Sequence, residues 1–348
     1  MQTHENQLTQ ERVESVQYRT FSLLHVSDLR RRKCGYSTMM FDFLIISAAL
    51  LGIGYAVLWL TVLKMPRFKR SVKLNGKTVI ITGSNTGIGR ATALDLAKRG
   101  ARIILACRDK QRAEMGAGAG IVYMHLDLAS LQSVRSFAEN FLKTEPRLDI
   151  LINNAGEISF FSDGLGMIFG VNHIGHFLLT VLLLDRLKAC APSRVVTVSS
   201  RGYEIGNIDF ECINAHKDLG RGNSALSLLR LYTHSKLCNI LFTHELAKRL
   251  EGTNVTCYSL HPGAIRTEIG RHANLLWKMV LTPIMALFFR DVESGVQTTL
   301  YCALQEGIEH LSGRYFSKCA VQKVRAKARD DATAKKLWEV SERLSGLA

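Results

Sequence analysis

Residues 74–348 predict an α/β fold, a single doubly wound domain on a seven-stranded parallel sheet. Three observations carry that expectation. Short β-branched runs alternate with helix-length segments, the runs are apolar at successive positions, and no internal repeat divides the chain. Strands that are apolar on both faces belong in a parallel sheet covered by helices on each side. The 348 residues are 47% hydrophobic and 22% charged, enough for a sizeable core, which excludes wholesale disorder.

Taken in order, residues 1–38 are polar and patternless and are expected to be disordered. From Phe43 to Leu63 run twenty-one residues without a charge, which as a helix would measure about 31 Å, the thickness of a bilayer's hydrocarbon core. Tyr55 and Trp59 lie toward one end and Pro66 stops the helix. Residues 42–64 are therefore expected to form one transmembrane anchor preceding the domain, with the lipid bilayer as partner and 65–73 as a basic linker. No small-x-small site separates the apolar run from the basic stretch, which argues against a cleaved signal peptide. Basic residues flank both ends, so the positive-inside rule barely orients the span. A start at Met39 or Met40 would leave only the distal cluster and turn the C-terminal part to the cytosol. Single-pass placement in the endoplasmic reticulum, catalytic domain toward the cytosol, is the expectation.

The predicted strands are TVIITG (78–83), ARIILAC (101–107), GIVYMHL (120–126), LDILIN (148–153), RVVTVS (194–199), NVTCYSL (254–260) and GRYF (313–316). An Ala- and Leu-rich helix follows the first strand and stops near Gly100. Between the second and third strands only about a dozen residues remain, Asp109 to Ala119, so the linking helix should be one or two turns at most or absent.

The net charge is +15, but Arg30, Arg31, Arg32, Lys33, Lys64, Arg67, Lys69, Arg70 and Lys73 supply nine of it around the apolar run. The remaining +6 is an ordinary surface, and no nucleic-acid partner is expected. Eight cysteines show no C-x-x-C and no metal-ligand spacing, so free thiols and no metal are expected. His173 with His176, and His234 with His244, lack a third ligand.

Chemistry begins after the first strand. Gly83-Ser84-Asn85-Thr86-Gly87-Ile88-Gly89 leads into a helix, and glycines there let the backbone turn sharply and approach a pyrophosphate at the helix N-terminus. The placement marks a Rossmann-type dinucleotide site. An acidic residue ending the second strand would bind the ribose 2′-hydroxyl and repel a 2′-phosphate. Cys107 stands there, followed by Arg108, while Asp109 lies two residues beyond the strand and should point away. NADP(H) is therefore favoured over NAD(H), with Arg90 as further support. Asp127, after the third strand, is placed to meet the adenine or to cap the next helix.

Tyr232 and Lys236 lie one turn apart on a predicted helix and project from one face. Ser199-Ser200 ends the fifth strand and Asn153-Asn154-Ala155-Gly156 the fourth, on the rim where an open parallel sheet binds ligands. A hydroxyl delivered beside a Tyr-Lys pair suits carbonyl and alcohol chemistry.

TGxxxGIG, NNAG, a strand-end Ser, YxxxK and Pro262-Gly263 occur in that order. The pattern resembles the short-chain dehydrogenase/reductase family over residues 74 to 348. LACRD, LDILINNAG, VNHIGHFLLT, HSKL, ELAKRL and HPG are similar to its retinol-dehydrogenase-like branch, and KACAPSRVV, YCALQEGIEHLSGRYF and ARDD narrow the resemblance within it. The resemblance implies Tyr232 as general acid/base, Lys236 lowering the phenol pKa and binding the nicotinamide ribose, and Ser200 rather than Ser199 bonding the developing alkoxide. It implies Asn172 holding a water that links Lys236 to solvent, and Pro262, Gly263 and Thr267 clasping the nicotinamide. Asn153 with Ala155 and Gly156 would border the cofactor, Asn153 on its adenosine side.

Two departures from the family stand out: the short 109–119 crossover, and about seven extra residues between Ser200 and Tyr232. Leu275 to Phe289 corresponds to a substrate lid in the family, or to a core helix. Lys323, Arg325, Lys327 and Arg329 read as a solvated face, and Leu337, Trp338, Val340 and Leu344 as a final helix packed on the domain.

The leading functional expectation is an anchored oxidoreductase interconverting a lipophilic alcohol and its carbonyl, the resemblance implying retinol and retinaldehyde. A steroid or lipid-derived aldehyde is the substrate alternative. A fold kept as a binding scaffold with little turnover is the alternative of another class.

Overall fold

The computed structural model describes residues 43–57, 59, 66–114, 120–156, 168–214, 225–265 and 290–348. The chain divides into two units, Met1–Lys64 and Met65–Ala348.

In the first unit, residues 43–57 form a helix (α1). Phe43, Leu44, Ile45, Ile46, Leu50, Leu51, Ile53 and Val57 each expose more than half of their surface. Fifteen helical residues reach about 22 Å. Among the described residues no helix is long and apolar enough to cross a membrane; residues 58 and 60–65, the rest of the uncharged run and its end, lie outside them.

The second unit alternates strand and helix. Its strands are β1 (Thr78–Thr82), β2 (Arg102–Cys107), β3 (Ile121–His125), β4 (Ile150–Asn153), β5 (Ser193–Val198), β6 (Val255–His261), β7 (Tyr315–Ser317) and β8 (Ala320–Gln322). The helices are α2 (Gly87–Lys98), α3 (Lys110–Glu114), α4 (Leu131–Thr144), α5 (Gly175–Ala189), α6 (Phe210–Asn214), α7 (Ala225–Arg249), α8 (Val292–Leu304) and α9 (Asp331–Ser345). One sheet has the order β3-β2-β1-β4-β5-β6-β7-β8. The chain reverses direction across the sheet between β3 and β4, which makes it doubly wound.

The expected seven parallel strands are present, but the sheet has eight: β8 pairs antiparallel with β7. Lys318 and Cys319 join the two with φ of 54° and 55°. Two central residues at positive φ make the turn that a two-residue hairpin needs, a turn normally signalled by Asn-Gly. Lys-Cys carries no such signal, and three exposed residues show no apolar run. The crossover after Arg108 holds α3, five residues long.

Two apolar layers sandwich the sheet. Ile80, Ile104, Leu151 and Val195 face Phe137, Phe141, Phe177, Phe242 and Trp338. Val79, Ile81, Ile103, Ile152 and Val196 face Leu96, Val296 and Leu300. Neighbouring residues of β1 thus enter opposite layers, which is why its sequence is apolar throughout. The stretch leading into β1 is docked on this unit: the Phe68 N–H donates to Gln297 Oε1 at 2.8 Å, Arg99 stacks 5.7 Å over the Phe68 ring, and Arg70 pairs with Glu306.

α9 packs on α7 and α5, with Trp338 4.9 Å from the Phe177 ring. His173 Nε2 lies 2.9 Å from Ser341 Oγ on α9, and Ser341 spends its proton on the Leu337 carbonyl. The ring therefore donates.

Burial pushes His173 down to about 4 and His176 to about 3 from an ordinary 6.5. Both rings are neutral in the fold, whereas the unfolded chain takes up protons near pH 6.5. Stability should be complete above that pH and fall as pH drops toward 4, by up to about 1.4 kcal/mol per pH unit per ring. Urea unfolding at about pH 7 and about pH 5 checks this, and His173→Gln should lessen the difference between the two midpoints.

Candidate active site

β1, β4, β5 and β6 run parallel, so their carboxyl ends share one edge of the sheet. After β1 the chain turns at Gly83 (φ 63°) and again at Gly87 (φ 52°). A Cβ on Gly83 would stand 2.9 Å from Ala155 Cα, and one on Gly89 would stand 2.5 Å from both Asn154 Nδ2 and Gly83 O. The loop after β1 therefore presses against the loop after β4, and only glycine permits it. Thr82 clamps the contact: its Oγ1 accepts the N–H groups of Asn154 and Ala155 at 2.9 Å each, and its carbonyl accepts from Asn154 Nδ2 at 2.8 Å.

The residues fit a dinucleotide. Nothing lies within 4 Å of a Cβ placed on Gly87, and α2 opens there with Thr86 as an N-cap whose side chain makes no capping bond and with no acidic residue in the first turn. Its N–H groups and positive dipole end remain available to a pyrophosphate. Ser84 is buried beside Cys107, and Asn85, Thr86 and Ile88 are half-buried along the loop. Burial raises the Cys107 thiol to about 11, so it is neutral. Arg108 is exposed next to it, and the Asp109 carboxylate is taken up by the backbone N–H and guanidinium of Arg112. Asp127 does not cap α4. Its Oδ1 accepts the Ala129 N–H in a turn, and Ser130 is the cap. Asn153 Nδ2 donates to Thr180 Oγ1 at 2.9 Å, while its buried Oδ1 has no partner.

α7 carries Tyr232 and Lys236 one turn apart, with Lys236 Nζ 5.4 Å from the Tyr232 ring centroid. The buried ammonium donates to the Val198 carbonyl at 3.2 Å, and burial brings its pKa down to about 8. Burial raises the Tyr232 phenol above its ordinary value, opposed by a hydrogen bond with Ser200. Lys236 stands over the face of the ring. Ser199 plays a different part from Ser200: its hydroxyl donates to the Lys236 carbonyl at 2.6 Å and staples β5 to α7.

Asn172 is fully buried in a π-helical turn, Gly170–Ile174. Its Nδ2 donates to Ser235 Oγ at 3.0 Å, and Ser235 donates to the Tyr232 carbonyl. A Cβ on Gly156 would lie 3.4 Å from Lys236 Nζ and 3.9 Å from Asn172 Oδ1. Gly156, Asn172 and Lys236 thus converge on one spot. Pro262 and Gly263 follow β6, Gly263 at φ 100°. Thr267 and the 275–289 stretch lie outside the described residues. Among the described residues no group of three His, Cys, Asp or Glu could hold a metal ion, and six cysteines are free thiols.

Motif reading missed Thr82, Ser235 and His176. Each is a one-residue hydrogen-bonding role with no spacing signature; only the crowding of polar residues around VNHIGHFLLT hinted at it.

Comparison with known proteins agrees with this geometry. The family model for short chain dehydrogenases matches residues 77–217. Dehydrogenase/reductase SDR family member 13 of Bos taurus is 48% identical over 316 residues, 86% of this chain and 82% of that protein. Retinol dehydrogenase 14 of Homo sapiens is 44% identical over 336 residues, 86% of this chain and 98% of the other. Among solved structures, an uncharacterized protein from Mycobacterium paratuberculosis superposes with a TM-score of 0.61 at 34% identity, covering 79% of this chain and 95% of that one. A protein from Beutenbergia cavernae, described as an NAD(P)-dependent gluconate 5-dehydrogenase with NADP bound at low occupancy, gives 0.55 at 26% identity, covering 71% and 96%. The glycine cradle, the Tyr-Lys pair and these matches along most of the chain agree: it belongs to the short-chain dehydrogenase/reductase family, in the retinol-dehydrogenase-like branch, an oxidoreductase with a nicotinamide-binding fold.

Proposed function

We propose that this chain is a membrane-anchored enzyme that moves hydride between NADP(H) and a lipophilic alcohol/carbonyl pair, with Tyr232 as its acid/base. The observation that carries the reading is the Tyr232 phenol, hydrogen-bonded with Ser200 and overlaid by the buried Lys236 ammonium. A bound nicotinamide supplies or takes up the hydride. In the reducing direction the phenol O–H gives its proton to the substrate oxygen, and the Ser200 hydroxyl hydrogen-bonds the same oxygen as charge develops. Lys236, with a pKa of about 8, carries its charge over most of the neutral range and stabilises the phenolate left behind. Asn172 lies beside the ammonium, and Pro262, Gly263 and Thr267 keep the nicotinamide-clasping role that the resemblance implies.

NADP(H) is supported over NAD(H) by the end of β2. The Asp109 carboxylate is committed to Arg112, and a neutral Cys107 is followed by an exposed guanidinium. The guanidinium of Arg108 there has the charge and geometry that suit a 2′-phosphate. The substrate proposal, retinol or retinaldehyde, leans on the names of relatives such as human retinol dehydrogenase 12, 48% identical over 291 residues. A steroid or lipid aldehyde has the same chemistry and is separated by a substrate panel. Anchoring through residues 42–64, in the endoplasmic reticulum with the domain toward the cytosol, is supported by α1, whose apolar side chains are exposed all around the helix.

Tyr232→Phe should lower NADPH-dependent reduction of retinaldehyde by about 10²–10⁴-fold and leave NADPH affinity within about twofold, read by turnover and by fluorescence titration. Retained turnover would sink the acid/base assignment. Arg108→Glu should weaken NADPH at least tenfold while NADH changes little, about the loss of one charge-assisted contact; an unchanged ratio of the two KM values would speak for NAD. Deleting residues 43–63 should move the protein from the membrane pellet to the supernatant with its cofactor binding intact.

A further inference from the structure

Among the described residues one buried side chain ties the catalytic turn to the cofactor cradle, and nothing above gives it a role in the reaction. His176 lies one helical turn beyond Asn172 and is 1% exposed. Its Nε2 is 2.8 Å from Thr82 Oγ1, and its Nδ1 is 3.2 Å from the Asn172 carbonyl oxygen.

Hydrogen-bond accounting decides which nitrogen carries the proton. The Thr82 hydroxyl has one proton and two lone pairs. Both lone pairs are taken by the N–H groups of Asn154 and Ala155, at 2.9 Å each. Its proton must go outward, and the short choice is His176 Nε2 at 2.8 Å rather than the Ile152 carbonyl at 3.5 Å. Nε2 is then an acceptor, so Nδ1 bears the hydrogen and donates it to the Asn172 carbonyl. The opposite tautomer would crowd three donors onto Thr82 and set two lone pairs against each other at Asn172. Burial, with Lys236 and His173 nearby, keeps the ring neutral.

We infer that His176 is a positioning residue: protonated on Nδ1, it holds the Asn172 carbonyl and, through Thr82, the Asn154-Ala155 turn as one unit. The circuit closes on itself. From Asn172 it passes through His176 and Thr82 to Ala155, and the next residue, Gly156, stands against Lys236 Nζ and Asn172 Oδ1. A shift of the glycine cradle is thereby transmitted to Asn172 and the ammonium beside it. The inference rests on the proposed assignment of Tyr232, Lys236 and Asn172.

The test uses the full chain in detergent and three variants. His176→Phe keeps a ring without hydrogen bonds, His176→Gln keeps a donor and an acceptor, and Thr82→Val keeps the shape without the hydroxyl. His176→Phe should raise the NADPH Kd about tenfold, on the order of one buried hydrogen bond, and move the pH–kcat profile at saturating cofactor. His176→Gln should recover most of both, and the pair His176→Phe with Thr82→Val should cost no more than the worse single change. Histidine-selective ¹⁵N NMR of the cofactor-free chain should show the His176 ring neutral and protonated on Nδ1 between about pH 5 and pH 8. A His176→Phe chain that binds NADPH like the parent with an unchanged pH profile would overturn the inference, as would a ring protonated on Nε2. If that variant does not fold, His176→Gln, Thr82→Val and the NMR of the parent decide. Tyr232→Phe is measured alongside. Turnover surviving in it condemns the catalytic assignment, while the Kd and the tautomer still judge His176 separately.

Discussion

Because β1, β4, β5 and β6 are parallel and in register, their ends arrive at one edge of the sheet, and the loops that follow them line that edge beneath the helix carrying Tyr232 and Lys236. β1 delivers the glycine bend, β4 the Asn153–Gly156 turn, β5 Ser199 and Ser200, and β6 Pro262 and Gly263. An antiparallel sheet would send alternate strand ends to opposite sides and scatter the same residues. The sheet is also what forces the close approach of the loops after β1 and β4, which makes glycine obligatory at 83 and 89.

The site is unusually polar for its depth. Lys236, Asn172, His173, His176, Ser199 and Ser235 are all buried. Burying such groups costs several kcal/mol each unless they are hydrogen-bonded, and here nearly every donor has a named acceptor. The Lys236 ammonium meets the Val198 carbonyl, Ser199 meets the Lys236 carbonyl, and Asn172 meets Ser235. These bonds staple α7 to β5 and to the π-helical turn, so the side chains that would touch substrate project from a rigid base. A π turn, which lets a helix depart from regular bonding, occurs where Asn172 must be presented.

Much of this was legible from the chain itself. The seven parallel strands are bounded in the structure within about two residues of their sequence-derived limits, because an apolar run between turn residues has few other places to go. β8 was not legible, since Ala320–Gln322 is exposed and its Lys-Cys turn lacks the usual residues. Asp127 illustrates a local ambiguity: a carboxylate before a helix can cap it or shape the turn, and here Ser130 stands three residues closer and takes the cap. The uncharged run at 43–63 announced itself by composition, while the described helix accounts for residues 43–57 of it.

Local order determined a great deal by itself: the strand-and-helix alternation, the glycine bend ahead of a helix, and the one-turn spacing of Tyr232 and Lys236. Each is a relation between residues close along the chain, so backbone periodicity alone is enough to state it. Only the tertiary structure decided that Ser199 is spent on the Lys236 carbonyl, and that Thr82 and His176 join Asn154 to Asn172. Those relations span 37 to 94 positions wherever they cross elements. They depend on which lone pair remains unoccupied once the strands are aligned, and that has no pattern in sequence.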